Sequence, residues 1–196
     1  MPVQASSGSM GGSASVEFMV ASPAGEDDVL VCEACGYRAN VERGTSRLEE
    51  IVDSGPETAL ERFPTPGVRS IADLTALDGE ATALQQIKTM VMVLDGQVVL
   101  ALLRGDHQLN LQKLQDSTGA IDLRPATAEE TIDALGASPG SLGAVGVQGL
   151  RVLADISLRG RKNMFTGANE DDWHYRGVSL DTDISVEEWV DLREVE

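Results

Sequence analysis

The sequence of 196 residues has little basic charge, few aromatic residues, only two cysteines and no long hydrophobic run. Its 15 lysine and arginine residues stand against 32 acidic residues, so its formal charge is −17. A broad nucleic-acid-binding surface is therefore not expected, because such a surface neutralises phosphates with lysine and arginine. No run approaches the roughly 20 apolar residues of a membrane helix, and the N-terminus lacks a signal-peptide pattern. These absences predict a cytoplasmic protein with no membrane partner.

The two cysteines form a single Cys32-x-x-Cys35 pair. Such a pair supplies half of a tetrahedral zinc site, but no second Cys or His pair follows at zinc-ribbon spacing. The two histidines, His107 and His174, are widely separated in the sequence. We therefore predict no metal. A zinc-ribbon nucleic-acid binder stays as an alternative, which the acidic charge disfavours.

The most regular pattern is a hairpin in the middle of the chain. Two apolar runs, Met90–Leu94 and Val98–Leu103, flank the dipeptide Asp95-Gly96. Asp-Gly suits a two-residue type I′ turn, because that turn needs positive φ at both central residues. Neither run alternates apolar with polar residues, so both strands should be covered on both faces. A buried hairpin with polar groups at its ends would be a rigid base for a site.

Short strands and short helices fill the rest of the sequence. Thr127-Ala-Glu-Glu130 predicts a capping box that opens a helix ending at Gly136. Ser70 is expected to cap a helix over 71–77. Helices are also expected over 45–52, 81–87 and 109–114, and Ser185-x-x-Glu188 could cap a last one. Because the strands and helices do not follow a regular βαβ order, we predict a mixed α/β fold with a mainly antiparallel sheet.

Several polar or flexible positions could act on a ligand. The glycine-rich loop over 136–146 could present backbone N–H groups, or could simply connect a helix to a strand. Lys88 could hold a phosphate or a carbonyl group, although a solvent-exposed lysine fits the pattern as well. Asp106, His107 and His174 could contact a substrate, or could cap a helix and pack in the interior. No nucleophile for an acyl-enzyme can be named.

Six motifs follow one another along the chain: Thr65-Pro-Gly-Val68, Lys88-Thr89, Leu103-Arg-Gly-Asp-His-Gln-Leu-Asn110, Gly140-Ser-Leu-Gly143, Gly167-Ala-Asn-Glu170 and His174-Tyr175. Together they resemble the insertion (editing) domain of bacterial prolyl-tRNA synthetase, which belongs to the YbaK-like aminoacyl-tRNA deacylases. Segments within 11–42 also resemble the class II catalytic core that precedes this insertion. The resemblance implies a stub of that core over 1–44 and an editing domain over 45–196. It further implies the YbaK-like fold, with a barrel-like mixed sheet and surrounding helices.

The resemblance implies hydrolysis of the ester in alanyl-tRNA(Pro), a charging error. Lys88 would hold the terminal adenosine or its phosphate, the loop would supply backbone donors, and His174 would line a pocket that selects alanine. The residues implied for catalysis are Lys88, Gly140, Ser141, Leu142 and Gly143, and those implied for substrate binding are His174, Asp106, His107 and Ala144. Water would attack with help from the tRNA ribose hydroxyl, without a metal.

No cofactor is implied for editing, since ATP and magnesium would serve only the catalytic core of the parent synthetase. The implied partners are the acceptor end of tRNA(Pro) carrying alanine and the remainder of the synthetase, itself a homodimer. Two other functions stay open, namely a free-standing YbaK-like deacylase and a non-catalytic domain that stabilises the synthetase core.

Two positions depart from the family pattern. Ala144 stands where the family's Gly-Ser-Leu-Gly-Pro-Val-Gly loop has proline, and Thr182 stands where its Asp-Arg-Asp motif has arginine. The first change could loosen the loop that frames the pocket. The second removes a cation from a strand end.

Overall fold

The structure, a computed structural model, describes residues 1–5, 15–20, 22, 25, 28–49, 51–53 and 55–195. Its strands are β1 (Pro2–Ala5), β2 (Ser15–Phe18), β3 (Val29–Val31), β4 (Arg38–Asn40), β5 (Glu61–Pro64), β6 (Ile87–Leu94), β7 (Gln97–Arg104), β8 (Leu123–Pro125), β9 (Arg151–Asp155), β10 (Met164–Gly167), β11 (Trp173–Val178) and β12 (Glu188–Val190). Its α-helices are α1 (Ile71–Leu77), α2 (Leu111–Thr118), α3 (Ala128–Leu135) and α4 (Leu180–Asp183).

These strands form three sheets with the orders β2-β1-β4-β3, β10-β11-β5 and β12-β9-β7-β6-β8. Most neighbouring strands are antiparallel, while β1 with β4, β7 with β9, and β9 with β12 are parallel. The mixed α/β, mainly antiparallel prediction is therefore confirmed. The barrel-like sheet is wrong, because each sheet of the described chain is open at two edges. The second and third sheets share a hydrophobic core, in which Met164 and Val178 pack with Ile87, but the backbone pairing described between them is a single bridge between Gln86 and Phe165.

The central hairpin is confirmed as β6 and β7, paired in register from Ile87 with Arg104 to Leu94 with Gln97. Asp95 and Gly96 have φ of 48° and 82°, as a type I′ turn requires. The side chains of β7 alternate between two cores, so that Leu100 and Leu102 enter one while Val99, Ala101 and Leu103 enter the other. This alternation explains why the sequence of β7 is apolar throughout.

The helix-terminus signals are also confirmed. Ser70 caps α1 by accepting from the Asp73 N–H, and Thr127 with Glu130 forms the complete capping box of α3. Gly136 ends α3 in the left-handed conformation with φ of 81°. The helix expected near residue 109 starts later, because Asn110 caps α2.

Three local predictions are wrong. The described residues within 45–52 are not helical, and residues 81–87 contain only a 3₁₀ turn at Ala83–Gln85 before β6 begins. Ser185-x-x-Glu188 caps no helix, because Glu188 opens β12 and pairs with β9. Tertiary contacts override the local pattern in the first case, since the Ser46 carbonyl accepts from the Arg193 guanidinium at 2.7 Å.

The first sheet contains only strands that precede residue 44, while the other two sheets use only residues after 60. Contacts join them, for example from the Asn110 amide to the Val41 carbonyl at 3.3 Å. The division at residue 44 and the origin of this sheet in a catalytic core stay predictions. Across the part of the chain that the structure describes, no helix is long and apolar enough to cross a membrane.

Candidate functional site

A pocket of about 320 Å³ lies between the start of β6, α1, β10 and the loop that follows α3. Two cations, Arg69 and Lys88, border it, although the chain carries a formal charge of −17. No carboxylate is among the described residues that line it, which are Arg69, Ser70, Ile71, Leu74, Gln86, Ile87, Lys88, Thr89, Pro139, Gly140, Leu142, Phe165, Thr166, Gly167 and His174. The pocket therefore combines an apolar wall with a cationic rim, which suits a small acyl group on an anionic carrier.

Lys88 lies near the start of β6, opposite Leu103 of β7. Its ammonium group donates to the His107 carbonyl at 2.5 Å and to the Gln108 side chain at 3.5 Å. The side chain is half-buried, so its stem is held while its charge stays at the pocket border. A lysine fixed in this way can stabilise a negative charge that develops on a bound ligand.

His174 of β11 is 5 % exposed, and its Nδ1 lies 2.6 Å from the Thr65 hydroxyl. Burial lowers the pKa of His174 to about 4, against a hydrogen bond with the Gly140 backbone that would raise it, while the charge of Arg69 lowers it further. The imidazole is therefore neutral near pH 7. It is a fixed wall of the pocket and not a cation in it.

The low pKa of His174 makes stability depend on pH. The unfolded chain binds a proton at His174 below about pH 6.5, whereas the folded chain binds it only near pH 4. Stability is thus fully present above pH 6.5 and is lost as the pH falls toward 4. At about 1.4 kcal/mol per pKa unit, this loss reaches at most about 3.5 kcal/mol. Chemical denaturation at a series of pH values should show a shallower acid decline for His174→Gln than for the wild type. Parallel declines would contradict a neutral His174.

The loop over 140–144 forms one side of the pocket through Gly140 and Leu142. Gly140 has φ of 110° and lies so close to Arg69 that a Cβ atom would meet its Cα at 2.8 Å. Glycine is therefore required there for both the backbone conformation and the close approach. The Gly143 N–H donates to the Asn169 side chain, whereas the Leu142 N–H has no acceptor among the described residues. The Leu142 N–H is thus one donor of this loop without a protein acceptor among the described residues.

Ser141 and Ala144 belong to the support of this loop. Ser141 is 1 % exposed, and its hydroxyl accepts from the Asp172 N–H at 3.2 Å. Ala144 packs in the core with Leu100 and Leu102, so the alanine in place of proline does not line the pocket. The second departure, Thr182, lies in α4 and is exposed.

Asp106 and His107 lie beside the pocket and not among its lining residues. Arg104 donates to both carboxylate oxygens of Asp106, at 2.6 and 2.7 Å, and to His107 Nε2 at 2.8 Å. Burial and the charge of Arg104 lower the pKa of His107. Since Nε2 accepts from Arg104, the proton of the neutral ring is on Nδ1, which faces the Ser157 hydroxyl at 3.4 Å. His107 therefore cannot act as a base toward Ser157. Its link to the pocket is its carbonyl, which holds Lys88.

Sequence patterns did not identify Arg69 or Thr65 as site residues. Arg69 donates to the Val68 carbonyl at 2.6 Å and to Asp172 at 2.8 Å, which places its guanidinium at the pocket. Thr65 fixes the His174 ring from a position that is fully buried. The Thr65-Pro-Gly-Val68 motif marked this segment without giving a role to its residues. Both histidines take part in these networks, and the described residues contain no group of three or more His, Cys, Asp or Glu side chains that could hold a metal ion.

This fold and pocket define a small α/β domain with a pocket beside a lysine that is held by hydrogen bonds. The family model for the aminoacyl-tRNA editing domain matches residues 65–183, and this range contains every residue that lines the pocket. The chain belongs to the aminoacyl-tRNA editing domain family.

Similar proteins agree with this assignment. The chain is 50 % identical over 182 residues to a proline–tRNA ligase of Anaeromyxobacter dehalogenans, covering 93 % of the chain and 32 % of the ligase. It is 40 % identical over 194 residues to the proline–tRNA ligase of a Geobacter species, covering 98 % and 34 %. The chain thus spans about a third of the relatives it matches.

Among solved structures, a proposed trans-editing enzyme for prolyl-tRNA synthetase aligns with a TM-score of 0.60 at 25 % identity, covering 69 % of this chain and 87 % of that one. The resemblance to the prolyl-tRNA synthetase editing domain is confirmed. The YbaK-like fold is confirmed with it.

Proposed function

We propose that this domain hydrolyses the ester bond of alanyl-tRNA(Pro). The observation that carries the proposal is a small pocket bordered by Arg69 and Lys88 within an acidic chain of the editing family. The acceptor end of a tRNA is anionic, so it would be attracted to these two cations and repelled by most of the remaining surface. We propose as partners this acceptor end and the remainder of a prolyl-tRNA synthetase.

Selection of alanine follows from size. A synthetic site that binds proline gains only about 1–3 kcal/mol from the methylenes that alanine lacks, so it cannot exclude alanine strongly. A second site that admits alanine and excludes proline by its walls completes a double sieve. Buried His174 and the backbone of Gly140 form such a wall. Both are fixed by hydrogen bonds, which would have to break before either could move to admit a larger ligand.

Hydrolysis needs no protein nucleophile. Water adds to the carbonyl carbon of alanine, the bond from this carbon to the ribose oxygen breaks, and the ribose oxygen receives a proton. A neighbouring ribose hydroxyl of the tRNA can assist the proton transfers. A backbone N–H of the 140–144 loop, such as that of Leu142, would donate to the carbonyl oxygen as its negative charge develops, while Lys88 would balance the charge of the terminal nucleotide. His174, neutral and bonded to Thr65, shapes the site without transferring a proton.

The test compares the rates at which alanyl-tRNA(Pro) and prolyl-tRNA(Pro) are hydrolysed by the wild type and by His174→Ala. The wild type should favour the alanyl ester. Truncation of His174 removes a wall of the pocket, so the ratio of the alanyl to the prolyl rate should fall roughly tenfold or more in the variant. A change of this size corresponds to the discrimination that about one or two methylene groups provide. Equal hydrolysis of both esters by the wild type would contradict the steric sieve.

A further inference from the structure

We infer that Asn169 is a positioning residue, which sets the aminoacyl preference of the pocket by pinning the backbone of Gly143. The inference rests on the proposed function, because it concerns the walls of the same pocket. Asn169 is absent from the lining of the pocket, so any effect on the ligand must pass through the loop that it holds.

Three hydrogen bonds join Asn169 to the two residues that flank Leu142. Its side-chain oxygen accepts from the Gly143 N–H at 2.8 Å, and its side-chain nitrogen donates to the Gly143 carbonyl at 2.9 Å. Its own N–H donates to the Ser141 carbonyl at 2.9 Å. Leu142, which lines the pocket, therefore sits between two residues whose backbones are fixed from outside the pocket.

Backbone contact limits the loop in the opposite direction. A Cβ atom on Gly143 would lie 1.9 Å from the Gly167 carbonyl oxygen, and one on Gly167 would lie 2.1 Å from the Ser141 carbonyl carbon. The loop and the end of β10 are thus as close as two backbones can be. Steric contact prevents the loop from moving toward β10, and the bonds from Asn169 prevent it from moving away. The depth of the pocket on this side is fixed by both together.

The residue type fits this role. Asn169 has φ of 53°, a left-handed conformation in which asparagine is enriched, and its carboxamide offers one donor and one acceptor to the backbone of the same residue, Gly143. Position 144 carries alanine, which lacks the backbone restraint that a proline ring would give the loop. The hydrogen bonds of Asn169 therefore carry a larger share of the restraint.

Asn163 offers a matched control. It also has a left-handed φ, of 57°, and its side chain also bonds backbone at both ends, accepting from the Thr58 N–H at 2.8 Å and donating to the Pro56 carbonyl at 3.1 Å. It does not line the pocket. Glycine adopts a left-handed backbone without strain, so its introduction at either position removes only the hydrogen bonds of the side chain.

The experiment compares the wild type with Asn169→Gly, Asn169→Asp and Asn163→Gly. The ratio of kcat/KM for alanyl-tRNA(Pro) to that for prolyl-tRNA(Pro) should fall roughly tenfold in Asn169→Gly, as expected when one or two hydrogen bonds that fix the loop are lost. The Asn163→Gly variant should keep the wild-type ratio. Asn169→Asp should also lose preference, since it places a carboxylate oxygen against the Gly143 carbonyl. Amide hydrogen exchange at Gly143 should accelerate in Asn169→Gly alone of the two glycine variants.

An unchanged ratio in Asn169→Gly, or an equal loss in both glycine variants, would overturn the inference, because Asn169 would then contribute only to general stability. A wild type that hydrolyses neither ester, or both equally, would instead contradict the proposed function and the specificity role together. The wild-type rates therefore test the proposed function, and the comparison of the variants tests the role of Asn169 separately. Exchange at Gly143 reports in either case whether Asn169 holds the loop.

Discussion

Replacement of Lys88 by alanine should lower the rate of alanyl-tRNA(Pro) hydrolysis by about a hundredfold or more, the usual effect of removing one fixed group that stabilises charge in the transition state. Lys88 borders the pocket, and its ammonium group is held by the His107 carbonyl. The free energy of unfolding should fall by no more than about 1.5–3 kcal/mol, the usual contribution of a hydrogen bond to a charged group, because the side chain is only half-buried. Single-turnover deacylation and thermal unfolding measure the two effects separately.

Two further variants make the Lys88 test specific. Lys88→Met keeps most of the aliphatic stem, so it should be as inactive as Lys88→Ala if the charge is what matters. Lys162→Ala removes a half-buried lysine that does not line the pocket, and it should retain activity. A Lys88→Ala protein that unfolds far more easily, but is fully active per folded molecule, would show that Lys88 is structural.

Replacement of Asp53 by alanine should destabilise the domain by about 3–5 kcal/mol, since it leaves a buried arginine without its counter-ion. Asp53 and Arg161 form a two-point ion pair at 2.8 and 2.9 Å, and each side chain is 3 % exposed. Burial alone would raise the pKa of Asp53, but hydrogen bonds from Arg161 and from the Lys162 N–H bring that pKa below its usual value. This pair fastens the segment before β5 to the body of the domain.

Denaturant unfolding of Asp53→Ala measures this effect, with Glu187→Ala as the control. Glu187 pairs with Arg151 at 2.9 Å on the surface, so its removal should cost no more than about 1 kcal/mol. Because the pKa of folded Asp53 is lowered, its contribution is present above the unfolded pKa near 4 and is lost as the pH falls through the folded value. Equal destabilisation by the two variants would contradict a buried, energetically important pair.

The central hairpin could be predicted because its signals are local. Asp95-Gly96 specifies the turn, and the apolar runs on either side reflect burial on both faces of β7. The capping box at Thr127 is likewise read within one turn of helix. Such features depend only on residues that are close in the sequence, so they can be predicted from the sequence alone.

The failed predictions concern segments whose neighbours are distant. Ser46, within the described part of 45–52, is held by Arg193, and Asp53 just after this range is held by Arg161. Neither partner is visible in the local pattern. Glu188 opens a strand because β9 offers it a parallel edge. The sheets stay open because β10, which pairs with β11 along one edge, has only a single described bridge toward β6 along the other.

The site shows the same division. Lys88, Gly140, Leu142 and His174 could be found through the family motifs, and the structure brings all four to one pocket. The hydrogen bonds between Asn169 and Gly143 span 26 residues and could not be read from either motif alone. Arg69 lies outside any chemical pattern and reaches the pocket only because Asp172 and the Val68 carbonyl orient it.

The central claim is that this pocket binds the aminoacylated end of the tRNA. It is tested most directly by titrating the wild-type protein with a hydrolysis-resistant, amide-linked alanyl-adenosine and following its backbone NMR signals. The largest shifts should occur at Lys88, Gly140, Leu142, Thr166 and His174, which surround the pocket. Shifts centred instead on the separate cavity over 146–152 and 181–187, or no saturable shifts at all, would contradict the claim.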